Sequence, residues 1–243
     1  MHSLNLGRSG PDATKRMRGK FISFEGGEGT GKSTQAGLLA NKLESLGLGV
    51  LLTREPGGSP GAEIIRHVLL SGAAKPLGAE AEAMLFAAAR EDHVRCTIAP
   101  ALNVGKWVVC DRFADSTRVY QGALGQVDQR LIKGLERVSI GDLLPDLTLI
   151  LDVPVDVALE RLALRRDGAA PDRFEAENLE FHEKLRAAFR ALAADEPERC
   201  VIIDASAPRV QVATDIWDTV QARLDPATAP LAPQEPAPEN LVS

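Results

Sequence analysis

The chain has 243 residues, 44% of them hydrophobic, and a formal net charge of −6. That length and apolar share suit one α/β domain with a sizeable core. The negative balance excludes a general nucleic-acid coat, so a phosphate site has to come from locally placed Lys, Arg and backbone N–H groups.

Residues 1–18 carry basic and turn-forming residues with no apolar run behind them, and read as a loose extension and not a signal peptide. Residues 21–24 are a short β-rich run ending at glycines. Helical spacing of Leu38, Leu39 and Leu43 predicts a helix over 33–46, stopped by Gly47. A strand over 50–53, a helix over 62–70 and a long helix over 80–102, bent near Pro100, follow. Residues 107–110 form a third strand, with helical stretches over 115–122 and 128–140 after it. A strand at 147–151, helices over 155–165 and 179–194, a strand at 201–203 and a helix over 210–224 complete the order. The strands are continuous apolar runs alternating with helices, which predicts a five-stranded parallel sheet with helices on both faces. The expected ordered domain is 19–224, and the Pro/Ala-rich end, 225–243, is expected to be a disordered tail.

No stretch is long and apolar enough to span a membrane. Cys96, Cys110 and Cys200 lack metal-ligand spacing and read as buried, reduced thiols of a reducing compartment.

Gly26-Gly27-Glu28-Gly29-Thr30-Gly31-Lys32-Ser33 matches GxxxxGK[ST] in full, between a strand and a helix. Glycines let successive backbone N–H groups turn inward around phosphate oxygens. The next helix adds its unpaired N–H groups and dipole. Lys32 reaches β- and γ-phosphates, and the Ser33 hydroxyl suits Mg²⁺. The motif announces a nucleoside triphosphate without naming the reaction. No N-K-x-D motif is present, which argues against a GTPase.

Four further features suggest a small kinase with a second nucleotide site. Arg54, in Thr53-Arg54-Glu55-Pro56-Gly57-Gly58, stands at a strand end where a guanidinium can grip a monophosphate; the alternative is a solvated surface turn. Phe86 and Arg90 are one helical turn apart and share a face suited to stacking on and bonding a base; by spacing alone the stronger reading is core, since a run such as Met84-Leu85-Phe86 is more often just that. Asp111-Arg112 directly follows a buried strand, where an Asp orders Mg²⁺ or its waters, or else forms a local ion network with its neighbour. Arg161, Arg165 and Arg166 precede Asp167-Gly168-Ala169-Ala170-Pro171, a lid-like segment, or are simply a solvated helix end.

Together these residues resemble the bacterial thymidylate kinase family over about residues 20–224. The resemblance rests on the run from Phe24 and Glu25 to Ser33-Thr34, on Thr53 to Gly58, and on Leu85-Phe86-Ala87-Ala88-Ala89-Arg90. It rests also on Asp111-Arg112-Phe113 with Ser116-Thr117, on Pro145-Asp146-Leu147-Thr148, on Leu151-Asp152-Val153-Pro154, and on Asp172-Arg173-Phe174-Glu175. It implies a P-loop NTPase fold with a short lid, and transfer of the ATP γ-phosphoryl group to dTMP, giving dTDP and ADP for dTTP synthesis. It further implies Mg²⁺, a cytoplasmic homodimer, and neither nucleic acid nor membrane as partner. Residues Gly26 to Thr34 match the ATP-binding loop, with Lys32 catalytic and Ser33 and Asp111 at the metal. Glu28, Arg54, Phe86, Arg90, Arg112, Thr117, Tyr120 and Gln121 match dTMP-binding positions. Phe86 would stack on thymine and Arg90 would bond the base. The loop has Glu28-Gly29-Thr30 where some relatives carry an arginine, so the lid would supply the catalytic arginine, best matched by Arg165. Phe113 stands where Tyr or His is common in the family.

Overall fold

The computed structural model describes residues 18–166, 174 and 177–228; of 165, 166 and 228 only the backbone is described. The expectations for the extension before residue 18, for the lid at 167–171 and for the tail beyond 228 lie outside the described residues. A single turn of 3₁₀-helix, Pro226–Thr228, closes the described chain.

Five strands form one parallel sheet: β1 Phe21–Glu25, β2 Val50–Arg54, β3 Trp107–Asp111, β4 Leu147–Asp152 and β5 Cys200–Asp204. Their order is β2-β3-β1-β4-β5. β1 thus lies at the centre, with Phe24 registered beside Asp111 of β3 and Leu149 of β4. All its residues are buried, as are those of β3 and β4 apart from the terminal Asp111 and Asp152. Continuous apolar runs predicted cover on both faces, and the three central strands have it. The edges differ: Leu52 of β2 and Ile202 of β5 are exposed, because an edge strand has a neighbour on one side only.

The helices are α1 Lys32–Ser45, α2 Pro60–Leu70, α3 Ala79–His93, α4 Ala99–Asn103, α5 Ala114–Thr117, α6 Gln129–Ile140, α7 Val155–Arg166, α8 Leu179–Asp195 and α9 Arg209–Leu224. On one face of the sheet Leu39 and Leu43 of α1 and Ile216 and Val220 of α9 pack on Ile22, Phe24, Leu147 and Leu149. On the other, Ile98, Leu102 and Phe113 cover Phe21 and Val108, and Leu185 and Phe189 of α8 cover Ile150. Phe24 is wholly buried; its truncation to Ala would cost about 3–5 kcal/mol.

Two expected helices are interrupted. Between α3 and α4 runs a π-helical turn, Val94–Ile98, immediately before Pro100. Pro100 has no N–H to continue the i→i−4 ladder, and a wider turn absorbs the lost bond. The stretch predicted as one helix over 115–122 is the short α5 followed by a second π-helical segment, Arg118–Leu124. Cys110 and Cys200 are buried as expected, but Cys96 is exposed, since it sits on the solvent side of the π-turn after α3. Among the described residues no helix is long and apolar enough to cross a membrane.

Candidate active site

The carboxyl ends of β1, β2 and β3 converge beside the strand-order switch at β1, where open α/β sheets bind ligands. The loop from Gly26 to Gly31 leaves β1 and enters α1 at Lys32. Gly29 has φ +75, and a Cβ there would come within 2.3 Å of the Ala158 carbonyl oxygen, so the loop packs on α7 as only glycine allows. Lys32 Nζ donates to the Gly27 carbonyl at 2.5 Å and lies 3.5 Å from Thr30 Oγ1. Burial, aided by the nearby Arg112, brings its pKa down to about 8. The Ser33 hydroxyl donates to Asp111 Oδ2, linking the first turn of α1 to the end of β3. Gly26, Gly27, Thr30, Gly31 and Thr34 complete the loop and first turn around them.

Arg112 adopts a positive φ of 72 while its N–H donates to the Phe24 carbonyl at 2.9 Å. That turn aims its guanidinium back over the loop. Nη2 donates to Glu28 Oε1 at 2.8 Å, and Nη1 donates to Gly26 O at 3.1 Å and Ser116 Oγ at 3.2 Å. Tyr120 donates its hydroxyl to the other Glu28 oxygen at 2.6 Å, and the guanidinium lies 5.3 Å from the Tyr120 ring centre. Burial alone would raise the Glu28 pKa; Arg112 and Lys32 outweigh it and hold the carboxyl below its usual value. Burial likewise opposes the charge on Arg112, and Glu28 more than compensates, raising that pKa.

These groups form one end of a cavity of about 220 Å³. Arg54, Glu55, Pro56 and Arg66 line its side. Arg54 Nη2 pairs with Glu63 at 3.1 Å but stays half exposed at the mouth. Phe86, Thr117, Tyr120, Gln121 and Phe174 line the far end, with the Phe86 and Phe174 ring centres 6.4 Å apart. The cavity therefore joins the cations Lys32, Arg54 and Arg112 to a slot of aromatic rings and amide and hydroxyl groups.

Sequence-predicted residues meet here, except Arg90 and the arginines of α7. Arg90 stands behind the wall, not in it: it is buried, with Nε on Glu55 Oε2 at 2.7 Å and Nη2 on Thr117 Oγ1 at 3.0 Å and Phe113 O at 3.2 Å. Arg161 turns to the loop after β5, donating to Ala205 O at 2.9 Å and Ser206 O at 3.3 Å. Arg165 sits in the last turn of α7, and its side chain lies outside the described residues. Phe113 is wholly buried, edge-on to Phe21 at 4.8 Å.

Glu25 and Asp152, quoted in the sequence only for the resemblance, received no role there. Glu25 is buried under the loop, accepting from Phe113 N at 2.8 Å and from the Ser116 hydroxyl at 2.7 Å. Burial, with Asp115 nearby, pushes its carboxyl up to about 7. Asp152, at the end of β4, accepts from Arg186 Nε at 2.7 Å and from Arg190 Nη1 at 2.7 Å, and Arg186 lines a small cleft together with Gly26, Gly27 and Thr30 of the phosphate loop. The i, i+4 spacing of those arginines was the available signal. Ser33 Oγ and Asp111 offer hard oxygen donors, which suit Mg²⁺; among the described residues no cluster of three or more His, Cys, Asp or Glu offers an all-protein metal cage.

The comparisons with known proteins agree with this geometry. A family model described as thymidylate kinase matches residues 24–216. A protein of Bradyrhizobium sp. strain BTAi1 named thymidylate kinase is 62% identical over 212 residues, spanning 87% of this chain and 94% of that protein. One of Nitrobacter winogradskyi with the same name is 62% identical over 207 residues, spanning 85% of this chain and 90% of that protein. The crystal structure of thymidylate kinase from Ehrlichia chaffeensis matches with a TM-score of 0.66 at 34% identity, covering 84% of this chain and 99% of that one. On the strength of these matches and of the fold they share, the chain belongs to the thymidylate kinase family.

Proposed function

We propose that the enzyme holds ATP on the loop from Gly26 to Thr34 and dTMP in the cavity, phosphate to phosphate, and moves the γ-phosphoryl group directly between them. The observation that carries this reading is the continuity of one cavity from Lys32 and Arg112 to the Phe86 slot. An ionised phosphate attacks without a general base, so the protein's work is positioning and charge compensation. Arg54 and Arg112 offset repulsion between the two anions. Lys32 stabilises charge on the transferring group from the loop side. Glu28 holds Arg112 and Tyr120 in place and faces the acceptor sugar. Phe86 stacks on the base, and Thr117, Tyr120 and Gln121 line base and sugar. Arg90, buried behind Thr117, bonds the base edge in this reading through Nη1, which has no hydrogen-bond partner among the described residues.

Ser33 and Asp111 are the residues that would hold Mg²⁺, which supplies charge neutralisation between phosphate oxygens when bound. Arg165, at the end of α7, is the proposed lid arginine. Arg165→Ala should lower kcat by about 10³-fold or more while leaving dTMP affinity nearly unchanged; a kcat within about threefold of wild type rejects the assignment. A cytoplasmic location fits the three free thiols. A homodimer fits the exposed apolar side chains Ile64, Val68, Met84 and Val138, which stand on the adjacent helices α2, α3 and α6.

The test is ADP release from ATP and Mg²⁺ with dTMP, dUMP, dCMP and thymidine as acceptors. Turnover with dTMP and none with thymidine supports a monophosphate site. Equal turnover with thymidine overturns it, and binding of ATP without acceptor-dependent ADP release indicates a nucleotide-binding module.

A further inference from the structure

The base end of the cavity is backed by a line of buried polar groups that meets the cavity at Glu55 and Thr117. It begins at His93, wholly buried at the end of α3. Nδ1 of His93 lies 3.0 Å from Glu55 Oε1, and Nε2 lies 2.7 Å from Thr53 Oγ1. The other Glu55 oxygen accepts from Arg90 Nε at 2.7 Å, and Arg90 Nη2 donates to Thr117 Oγ1 at 3.0 Å. A carboxylate only accepts, so Nδ1 carries a proton whichever charge the ring bears. The Thr53 hydroxyl serves Nε2 as donor or acceptor. The loop after β2 is also wrapped against this ring. Gly58 has φ +85, and a Cβ there would lie 2.3 Å from His93 Nε2 and 2.5 Å from Thr53 Oγ1.

One ring therefore reaches both halves of the acceptor site through one intermediate on each side, Glu55 toward Arg90 and Thr53 toward Arg54. We infer that His93 is a positioning residue for the acceptor nucleotide. Through Glu55 it fixes the direction of Arg90, and through Thr53 and Gly58 it shapes the loop that carries Arg54. The inference rests on the proposed reading of Arg90 as the group that bonds the base. Thymine presents a carbonyl at position 4 where cytosine presents an amine. A guanidinium held rigidly opposite that position favours the first and disfavours the second, and one free to swing discriminates less. Without the His93 donor, Glu55 Oε1 loses its partner and the carboxylate no longer holds Arg90 to one orientation. The loop keeps other anchors: Thr97 Oγ1 donates to Gly58 O at 3.0 Å, and Asp92 accepts from Gly61 N at 2.9 Å.

The experiment compares wild type, His93→Leu, His93→Asn, His93→Gln and Arg90→Ala with dTMP and dCMP as acceptors. The Asn amide nitrogen occupies the Nδ1 position and keeps the bond to Glu55, whereas the Gln amide reaches the Nε2 position and loses it. His93→Leu and His93→Gln should raise KM for dTMP about tenfold and reduce the preference over dCMP similarly, with KM for ATP changed by less than about twofold. His93→Asn should recover most of both. The comparison of Asn with Gln decides the matter even where His93→Leu fails to fold. If Asn and Gln behave alike, or if the variants lose only kcat equally for both acceptors, His93 is a packing residue and the inference is overturned. If Arg90→Ala shifts the preference and His93→Gln does not, the inference alone fails. If Arg90→Ala leaves KM and preference unchanged, the base-reading role of Arg90 fails, and the inference with it.

Discussion

At Glu25 two environments compete for one carboxyl group. Complete burial and the neighbouring Asp115 favour its protonated form, while the Ser116 hydroxyl, Arg112 and the Phe113 N–H favour its charge. The first pair prevails, so the native pKa stands above the ordinary carboxyl value, at about 7. The native state then binds this proton more tightly than the unfolded chain does. The sign follows: stability from this group is fully present below the unfolded pKa and is lost as pH rises through the native one. Relative to Glu25→Gln, wild type should therefore lose stability between acidic pH and pH 8, by at most about 3–4 kcal/mol. Urea unfolding of both proteins across that range checks it, and a difference independent of pH rejects it. In the sequence Glu25 stands out only as part of the run that carries the family resemblance, with no role of its own. Lys32 and Ser33 were legible because backbone chemistry ties their spacing to phosphate. Glu25 acts on a turn 88 residues away, at Phe113, and local spacing carries no record of that contact.

At the scale of elements, α8 is tied to the phosphate loop's side of the sheet by Asp152. Its hydrogen bond with Arg186 leads the causes that hold the carboxyl below its usual value, and Arg190 adds to them. A depressed native pKa adds stability above the unfolded value that disappears as pH falls through the native one. Both arginines are partly exposed, so solvent screening limits the effect. Asp152→Asn should cost about 1 kcal/mol at neutral pH and progressively less as pH falls below the ordinary carboxyl value, as urea unfolding of both proteins followed from pH 7 down to about pH 2 would read. The long helix ending α3 teaches a related lesson. Its periodicity and Pro100 announced a helix with a bend, but the compensation chosen, a π-turn upstream of the proline, depends on how Val94 and Ile98 pack against the sheet. Phe86 and Arg90 share a helical face as predicted. One turn of rise nevertheless separates them by about 6 Å along the axis. That is enough to leave Phe86 on the cavity wall and put Arg90 beneath Phe113 and Thr117.

For the whole molecule, the exposed apolar residues of α2, α3 and α6 set the expectation. Val138 is 80% exposed, on a helix packed against α3, which carries the half-exposed Met84. The proposed homodimer predicts sedimentation at twice the chain mass of 26.0 kDa, and Val138→Asp should shift the equilibrium toward the single chain. A wild-type protein that sediments as one chain at micromolar concentration rejects the dimer. Acceptor turnover measured on the same samples would show whether the single chain is competent.

The sequence by itself determined the element order, the parallel sheet and the phosphate loop. These follow from local physics: strand and helix periodicity, glycine conformational freedom and the motif's fixed spacing. It also brought Glu28, Arg54, Phe86, Asp111 and Arg112 forward as candidates, since each stands beside a strand end or on a patterned helix. Tertiary structure alone decided which of them face the cavity, placed Arg90 behind it, turned Arg161 to another loop and assembled Thr53, His93 and Glu55 into one line. Those outcomes depend on contacts between groups distant along the chain. Burial and charge at such contacts are properties of the folded assembly, not of any segment within it.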